Sequence, residues 1–128
     1  MATIVINNKF LHIRKITEDD IQNTYYNAMG ALPRKTIEML TMLTTAEVEE
    51  ELKNKRIFLI EDVNSKQMVG SASVSFLNST STIAKVGYID DITMHKKYES
   101  EELREELINY LTNYCVSQDN CIKCICKI

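Results

Sequence analysis

The sequence predicts a single α/β domain of the α+β kind over residues 1–128, with a mixed, mostly antiparallel central sheet flanked by helices. Three strand-like segments follow one another between residues 56 and 94, and only short polar turns divide them. Segments with apolar residues at helical spacing precede and follow these strands. A length of 128 residues suits one domain with one buried core.

The N-terminal part of the chain predicts one strand followed by helices. Residues Met1–Asn8 are expected to be a short lead-in. Leu11 and Ile13 alternate with more polar neighbours, which is typical of a strand. Threonines followed by acidic residues mark helix starts, because the hydroxyl caps backbone N–H groups and the acids favour the positive end of the helix. The predicted elements are a strand at Lys9–Arg14, a helix from Thr17 to Met29 that Gly30 ends, a helix after Pro33, and a short acidic helix that a Thr44–Glu47 capping box opens and that runs through Lys53.

The middle of the chain predicts an antiparallel meander. A continuous apolar run, Ile57-Phe58-Leu59-Ile60, indicates a strand, and three serines alternate with apolar residues in the next one. The predicted strands are Arg56–Val63, Gln67–Leu77 and Ile83–Met94, with turns at Asn64-Ser65-Lys66 and Asn78–Thr82.

The C-terminal part predicts a long helix and a last strand. Ser100 is expected to cap the helix, since Glu101 and Glu102 follow it directly. The residues expected on the inner face of this helix have helical spacing: Leu103, Leu107, Tyr110, Leu111 and Tyr114. A strand is predicted over Cys121–Ile128.

Charge and composition restrict the classes of function. The net charge of −3 argues against nucleic acid as a direct specific ligand. No apolar run approaches the length of a membrane span and no secretory signal pattern is present, so we expect a cytoplasmic protein without membrane contact.

The cysteines invite a metal-site hypothesis that the spacing does not favour. Cys121, Cys124 and Cys126 lie in one predicted strand, with Cys115 before them. Along a strand Cys124 and Cys126 face one way and Cys121 the other, so they are expected not to converge, and we predict no metal site. We expect free thiols that pack as small apolar groups. His12 and His95 have no neighbouring Cys or Ser that would make a nucleophile–base pair, and we expect ordinary histidines.

Several motifs resemble a known enzyme family. The order strand, two helices, three-stranded meander, helix and strand is that of the GNAT acetyltransferases, and the chain resembles the eukaryotic glucosamine 6-phosphate N-acetyltransferases among them. The motifs similar to that family are Ile13-Arg14-Lys15 with Asp20, Leu43-Thr44-Thr45, Phe58–Val63 with Gln67–Ala72, Ala84–Ile92, and Asn120-Cys121-Ile122-Lys123.

The resemblance implies positions for an acceptor site. Asp90 and Asp91 match the family's acidic pair near the acceptor amine, and Lys85 matches a lysine near the acceptor. The alternatives are a polar strand position left over from ancestry for the two aspartates and a solvent-facing lysine for Lys85. If the chain is active, Asp90, Asp91 and backbone groups of Ile92 and Met94 are the residues that the family pattern implies for catalysis.

The loop before the long helix departs from the family pattern. The family has Arg/Gln-x-x-Gly-x-Gly/Ala there, and it holds the pyrophosphate of acetyl-coenzyme A on bare backbone N–H groups. Aligned on Tyr98 and Leu103, this chain has Glu99 for the Arg/Gln, and Ser100, Glu102 and Arg104 for the glycines. The segment Glu99-Ser100-Glu101-Glu102-Leu103-Arg104 is therefore interpreted as a degenerate cofactor loop, and we expect no cofactor.

A second departure concerns the C-terminus. The family continues past its fifth strand into a further helix and strand, which carry the tyrosine implied to protonate the leaving thiolate, and we expect this chain to lack them.

Two hypotheses about function remain open. One is a pseudoenzyme that binds a protein partner, a second copy or a larger assembly, along the edge strand Cys121-Ile122-Lys123-Cys124-Ile125-Cys126. The other is an active N-acetyltransferase that transfers acetyl from acetyl-coenzyme A to an amino sugar phosphate.

Overall fold

The computed structural model describes residues 2–6, 9–17, 36, 38, 42–78 and 85–126. The helix predicted from Thr17 to Met29 lies outside the described residues beyond Thr17. The turn predicted after Asn78 also lies outside them. In the segment predicted as a helix after Pro33, the residues that are described are helical: Thr36, Glu38 and Met42.

One mixed sheet forms the centre of the described structure. Its strands are β1 (Ala2–Ile6), β2 (Lys9–Lys15), β3 (Lys55–Asp62), β4 (Met68–Asn78), β5 (Lys85–Met94) and β6 (Lys123–Cys126). They are arranged in chain order, so that β1 and β6 are the outermost strands. Pairing is antiparallel from β1 to β5 and parallel between β5 and β6. The mostly antiparallel sheet and the meander that the sequence predicts are confirmed.

The N-terminal lead-in is a strand, which corrects the expectation for Met1–Asn8. Strand β1 pairs with β2 from Ala2 opposite Ile13 to Ile6 opposite Lys9. The physical reason is the run Thr3-Ile4-Val5-Ile6, because β-branched side chains suit a pleated surface. Ile4 packs against the main core, which anchors the strand.

The predicted capping box is confirmed at helix α1 (Thr45–Glu51). Thr44 Oγ1 accepts a hydrogen bond from the Glu47 N–H at 3.2 Å, and Glu47 Oε1 accepts one from the Thr44 N–H at 3.0 Å. These bonds lower the pKa of Glu47. A single 3₁₀ turn, Leu52–Asn54, continues the helix toward β3.

Helix α2 (Glu101–Gln118) covers one face of the sheet. Its buried residues recur every four positions and pack into the main core, as predicted for the first three of them: Leu103, Leu107, Leu111 and Cys115. Tyr110 and Tyr114 are half-buried and present their rings edge-on to Phe58, at centroid distances of 6.1 and 5.0 Å.

The opposite face of the sheet carries a smaller apolar cluster. Ile57 and Leu59 of β3 pack there against Val48 of α1. Because β3 is covered on both faces, its sequence is continuously apolar rather than alternating.

Strand β6 begins at Lys123 rather than at the predicted Cys121, and Lys127 and Ile128 of the predicted strand lie outside the described residues. Asn120 has a left-handed φ of 57°, which turns the chain out of α2, and the Cys121 N–H donates to the Cys115 carbonyl at 3.0 Å. Pairing with β5 therefore starts at Lys123, opposite Val86, and reaches Cys126, opposite Ile89.

Candidate functional site

A cleft of about 320 Å³ opens between the end of β5 and the start of α2. Ile92 and Met94 form its apolar part, and Glu99, Ser100, Glu101 and Arg104 form its polar part. The described pairing of β6 runs to Cys126, opposite Ile89, and Ile92 and Met94 lie farther along β5.

The polar side of the cleft is a capped helix start. Ser100 has an extended backbone, and its Oγ accepts a hydrogen bond from the Leu103 N–H at 3.1 Å. The Ser100 carbonyl accepts from the Arg104 N–H at 3.1 Å. The predicted cap is confirmed. The serine itself therefore uses one of the N–H groups that a helix start can offer to an anion.

The predicted cofactor-loop residues are divided between the cleft and its surroundings. Glu99, Ser100, Glu101 and Arg104 line it, so two acidic residues and one basic residue contribute to its wall. Leu103 is 2% exposed and belongs to the core. Glu102 is exposed and does not line the cleft.

A 3₁₀ turn, Lys96–Tyr98, positions the loop, and sequence reasoning missed what holds it. The Tyr98 hydroxyl donates to Asp62 Oδ2 at 2.6 Å, which links the turn to the end of β3. This bond is the main cause that lowers the pKa of Asp62, and it raises the pKa of Tyr98. The Lys9 ammonium lies 4.3 Å from the Tyr98 ring centroid. An aspartate at a strand end and a tyrosine far along the chain give no local signal of this contact.

His95 and His12 have ordinary structural places. His95 Nδ1 accepts from the Lys97 N–H at 3.3 Å and so caps the 3₁₀ turn. His12 is half-buried in β2, opposite Glu61 of β3.

A β-bulge brings the two predicted acidic residues onto one face of the sheet. Ser73 pairs with Asp91 and Val74 with Ile89, so Asp90 is the extra residue of β5. Regular alternation would place Asp90 and Asp91 on opposite faces. In the bulge, the Asp90 carboxylate instead accepts hydrogen bonds from the hydroxyls of Ser73 and Ser75.

The acidic pair belongs to a polar strip on the face opposite α2. Asp91 Oδ2 accepts from the Thr93 hydroxyl at 2.8 Å. Ser71 is 2% exposed and its hydroxyl has no hydrogen-bond partner. Ser71 pairs with Leu59, a member of the smaller apolar cluster, which places this strip on that face. Serine, threonine and aspartate side chains thus share this face of β4 and β5.

Lys85 is not brought together with the acidic pair. It lies at the start of β5, five residues before Asp90, which is about 16 Å along an extended strand. Its ammonium lies 4.4 Å from the Phe76 ring centroid.

The cysteine arrangement corrects the expectation from strand alternation. Cys121 precedes β6 rather than lying in it, and it is buried beside Cys115. Cys115 and Cys124 both approach Gly87 of β5. Cys121 and Cys124 therefore both turn toward Cys115. Across the ranges that the structure describes, no three or more His, Cys, Asp and Glu side chains are grouped so as to hold a metal ion.

Among the described helices, none combines the length and apolar composition needed to cross a membrane.

Comparisons with known proteins point to one fold. No family model matches the chain, and no curated protein matches it in sequence. Solved structures match over most of the chain. Glucosamine-6-phosphate N-acetyltransferase from Arabidopsis thaliana is 19% identical, with a TM-score of 0.60, over 92% of this chain and 82% of that one. An aminoglycoside acetyltransferase from an uncultured soil metagenomic sample is 14% identical, with a TM-score of 0.67, over 90% and 76%. A GNAT family acetyltransferase from Staphylococcus aureus is 10% identical, with a TM-score of 0.61, over 92% and 86%. The chain therefore has the fold of the GNAT-family acetyltransferases.

Proposed function

We propose that this chain is a GNAT-fold protein that has lost acetyl-coenzyme A binding and catalysis and acts as a protein-interaction module. The observation that carries the proposal is the start of α2, where Ser100 caps the helix and Glu99 and Glu101 line the cleft. In the GNAT pattern this turn has glycines and bare N–H groups for a pyrophosphate.

Electrostatics supports the loss of the cofactor. A carboxylate and a phosphate charge 5 Å apart repel by about 3 kcal/mol at an effective dielectric of 20, and by less where water screens them. Glu99 and Glu101 both add repulsion, which water reduces because both side chains are exposed, and Arg104 opposes it. Side chains in place of glycines also keep a ligand away from the backbone. The balance disfavours a pyrophosphate in this cleft.

Calorimetry with coenzyme A tests this step. We expect no binding at millimolar ligand, and micromolar binding would overturn the proposal. A variant that restores part of the family pattern, Glu99→Arg with Ser100→Gly and Glu102→Gly, should gain affinity. Glu105→Arg is the matched control, because it makes the same charge change as Glu99→Arg at an exposed position on α2 outside the cleft.

The edge of β6 supports the interaction part of the proposal. In the described part of the chain no strand pairs with β6 on the side away from β5, so β6 is an outer strand of the sheet. Exposed apolar side chains lie on and beside this edge: Ile122 is 64% exposed, Val116 46% and Ile125 37%. A second copy of the chain or a strand of a larger assembly could pair here.

The edge is tested by light scattering and amide hydrogen exchange. Self-association that Ile122→Lys weakens, and that Val5→Lys does not, would support pairing through β6. Val5 is the matched control because it is 56% exposed on β1, the opposite outer strand. A monomer whose outward β6 amides remain as fast in exchange with a candidate partner present as without it would count against this role.

An active N-acetyltransferase is the second candidate. The bulge at Asp90 favours it, since it holds two carboxylates on one face of the strand that also supplies Ile92 and Met94 to the cleft. Backbone groups of these residues would orient acetyl-coenzyme A, and Asp90 and Asp91 would hold the amine. Release of coenzyme A thiol in the presence of an amino sugar phosphate, lost in Asp91→Asn, would support this candidate over the first.

A further inference from the structure

Three of the four cysteines meet between the end of α2 and the start of β6. Cys115 lies on the buried face of α2 and has no exposed surface. Cys121 is 4% exposed, and its N–H donates to the carbonyl of Cys115. Cys124 is half-buried and pairs in register with Gly87 of β5.

Gly87 provides the space in which two of the sulfur atoms converge. A Cβ atom at this position would lie 3.2 Å from Cys115 Sγ and 3.4 Å from Cys124 Sγ. The two sulfur atoms thus approach the same point above β5 from a helix and from a strand. Gly87 has no side chain, so nothing from this position of β5 fills the point that both sulfur atoms approach.

The two thiols differ in access. Cys124 is partly open to solvent, whereas Cys115 is closed off. Burial raises the pKa of both thiols. Since the thiolate is the reactive form, the reaction of Cys124 with an external reagent should be slow at neutral pH and faster in alkali.

We propose that Cys124 and Cys115 form a thiol–disulfide exchange site for a small-molecule disulfide such as oxidised glutathione. The Cys124 thiolate attacks one sulfur of the small disulfide, forms a mixed disulfide and releases one small thiolate. The Cys115 sulfur, after losing its proton, attacks the Cys124 sulfur and releases the second small thiolate. The two released thiolates take up the two protons, so the protein is oxidised by two electrons and the small disulfide is reduced to two thiols. The product ties the end of α2 to β6, and this site is independent of the function proposed above.

Peptide mapping tests the proposal on the folded full-length protein. After incubation with oxidised glutathione at neutral and alkaline pH, remaining thiols are alkylated and the chain is cut with trypsin. Cleavage after Lys123 places Cys115 and Cys121 in one peptide and Cys124 and Cys126 in another. We expect a cross-link between the two peptides that forms faster at alkaline pH.

Single variants identify the pair. The cross-link should form in Cys121→Ser and in Cys126→Ser, and it should be absent in Cys124→Ser, with circular dichroism confirming that each variant is folded. Cys126→Ser is the matched control, because Cys126 is also half-buried and lies on the same strand. A cross-link that persists in Cys124→Ser or disappears in either of the other two variants would overturn the proposal. The proposal would also be overturned by a glutathione adduct on Cys124 that is never displaced by Cys115. A native chain that does not react with oxidised glutathione, although the unfolded chain does, would overturn it as well.

Discussion

Removal of the Ser100 hydroxyl tests whether the loop before α2 is built for helix stability. Ser100→Ala deletes the acceptor of the 3.1 Å bond from the Leu103 N–H and leaves Glu101 and Glu102 in the first turn. The loss of a serine N-cap to alanine costs about 1 kcal/mol, whereas glycine at the same position costs only a few tenths. For a domain of this size, 1 kcal/mol corresponds to roughly 3–5 °C in melting temperature.

The assay is urea and thermal unfolding followed by far-UV circular dichroism. Ser117→Ala is the matched control, because it makes the same chemical change near the other end of the same helix. There the hydroxyl donates to the Asn113 carbonyl at 2.6 Å, a contact that contributes little to helix stability. We expect Ser100→Ala to be less stable than Ser100→Gly, and Ser117→Ala to be close to the unmodified chain.

Equal stabilities of Ser100→Ala and Ser117→Ala would refute the reasoning. The N–H groups at the start of α2 would then not be committed to the cap, and the case against a phosphate ligand would rest on the glutamates alone. Ser100→Ala should not by itself create coenzyme A binding, since Glu99 and Glu101 still line the cleft.

Three further outcomes follow from the packing and the hydrogen bonds. Leu107→Ala should lower the free energy of unfolding by about 2–5 kcal/mol in urea titrations, because Leu107 is fully buried beneath α2. Tyr98→Phe should cost about 1.5 kcal/mol at neutral pH, because it removes a hydrogen bond to the Asp62 carboxylate. The pKa of Asp62 is lowered in the folded state, so this carboxylate stabilises the fold above its unfolded pKa and loses that effect as the pH falls through the lowered value. The difference in unfolding free energy between Tyr98→Phe and the unmodified chain should therefore shrink over that acidic range in unfolding curves. Gly70→Ala should lower the melting temperature more than a surface substitution does, because the new Cβ would clash with Met94 Sδ and lie 2.8 Å from the Thr93 carbonyl oxygen.

The sequence predicts the elements of this fold where local patterns are strong. The capping box at Thr44, the cap at Ser100 and the apolar spacing of α2 all appear as expected, because each depends on residues within one or two turns. Strand β1 was missed, since five β-branched and small residues at a chain end resemble an unstructured lead-in as much as an edge strand. Local sequence patterns also did not predict where α2 ends and β6 begins. The left-handed backbone conformation at this point is adopted by Asn120, so no glycine marks it in the sequence.

The candidate site was predicted in part. The resemblance located the loop residues, and four of them do line one cleft. It could not give the contact between Tyr98 and Asp62 or the meeting of Cys115 with Cys124, because both join residues from separate elements. The alternation rule also misplaced Cys121, since the strand that it assumed begins only at Lys123.

The bulge in β5 determines which side chains at the end of the strand face the core. Before Asp90, Ile89 faces the core under α2, and after it Ile92 and Met94 pack against the same core. Two residues rather than one separate Ile89 from Ile92, and both isoleucines still face the core because Asp90 is accommodated as an extra residue. Without the bulge, regular alternation from Ile89 onward would direct Asp91 and Thr93 into the apolar interior. The irregularity that adds the Asp90 carboxylate to the candidate acceptor site is therefore also what keeps the end of β5, and with it the wall of the cleft, in phase with the core.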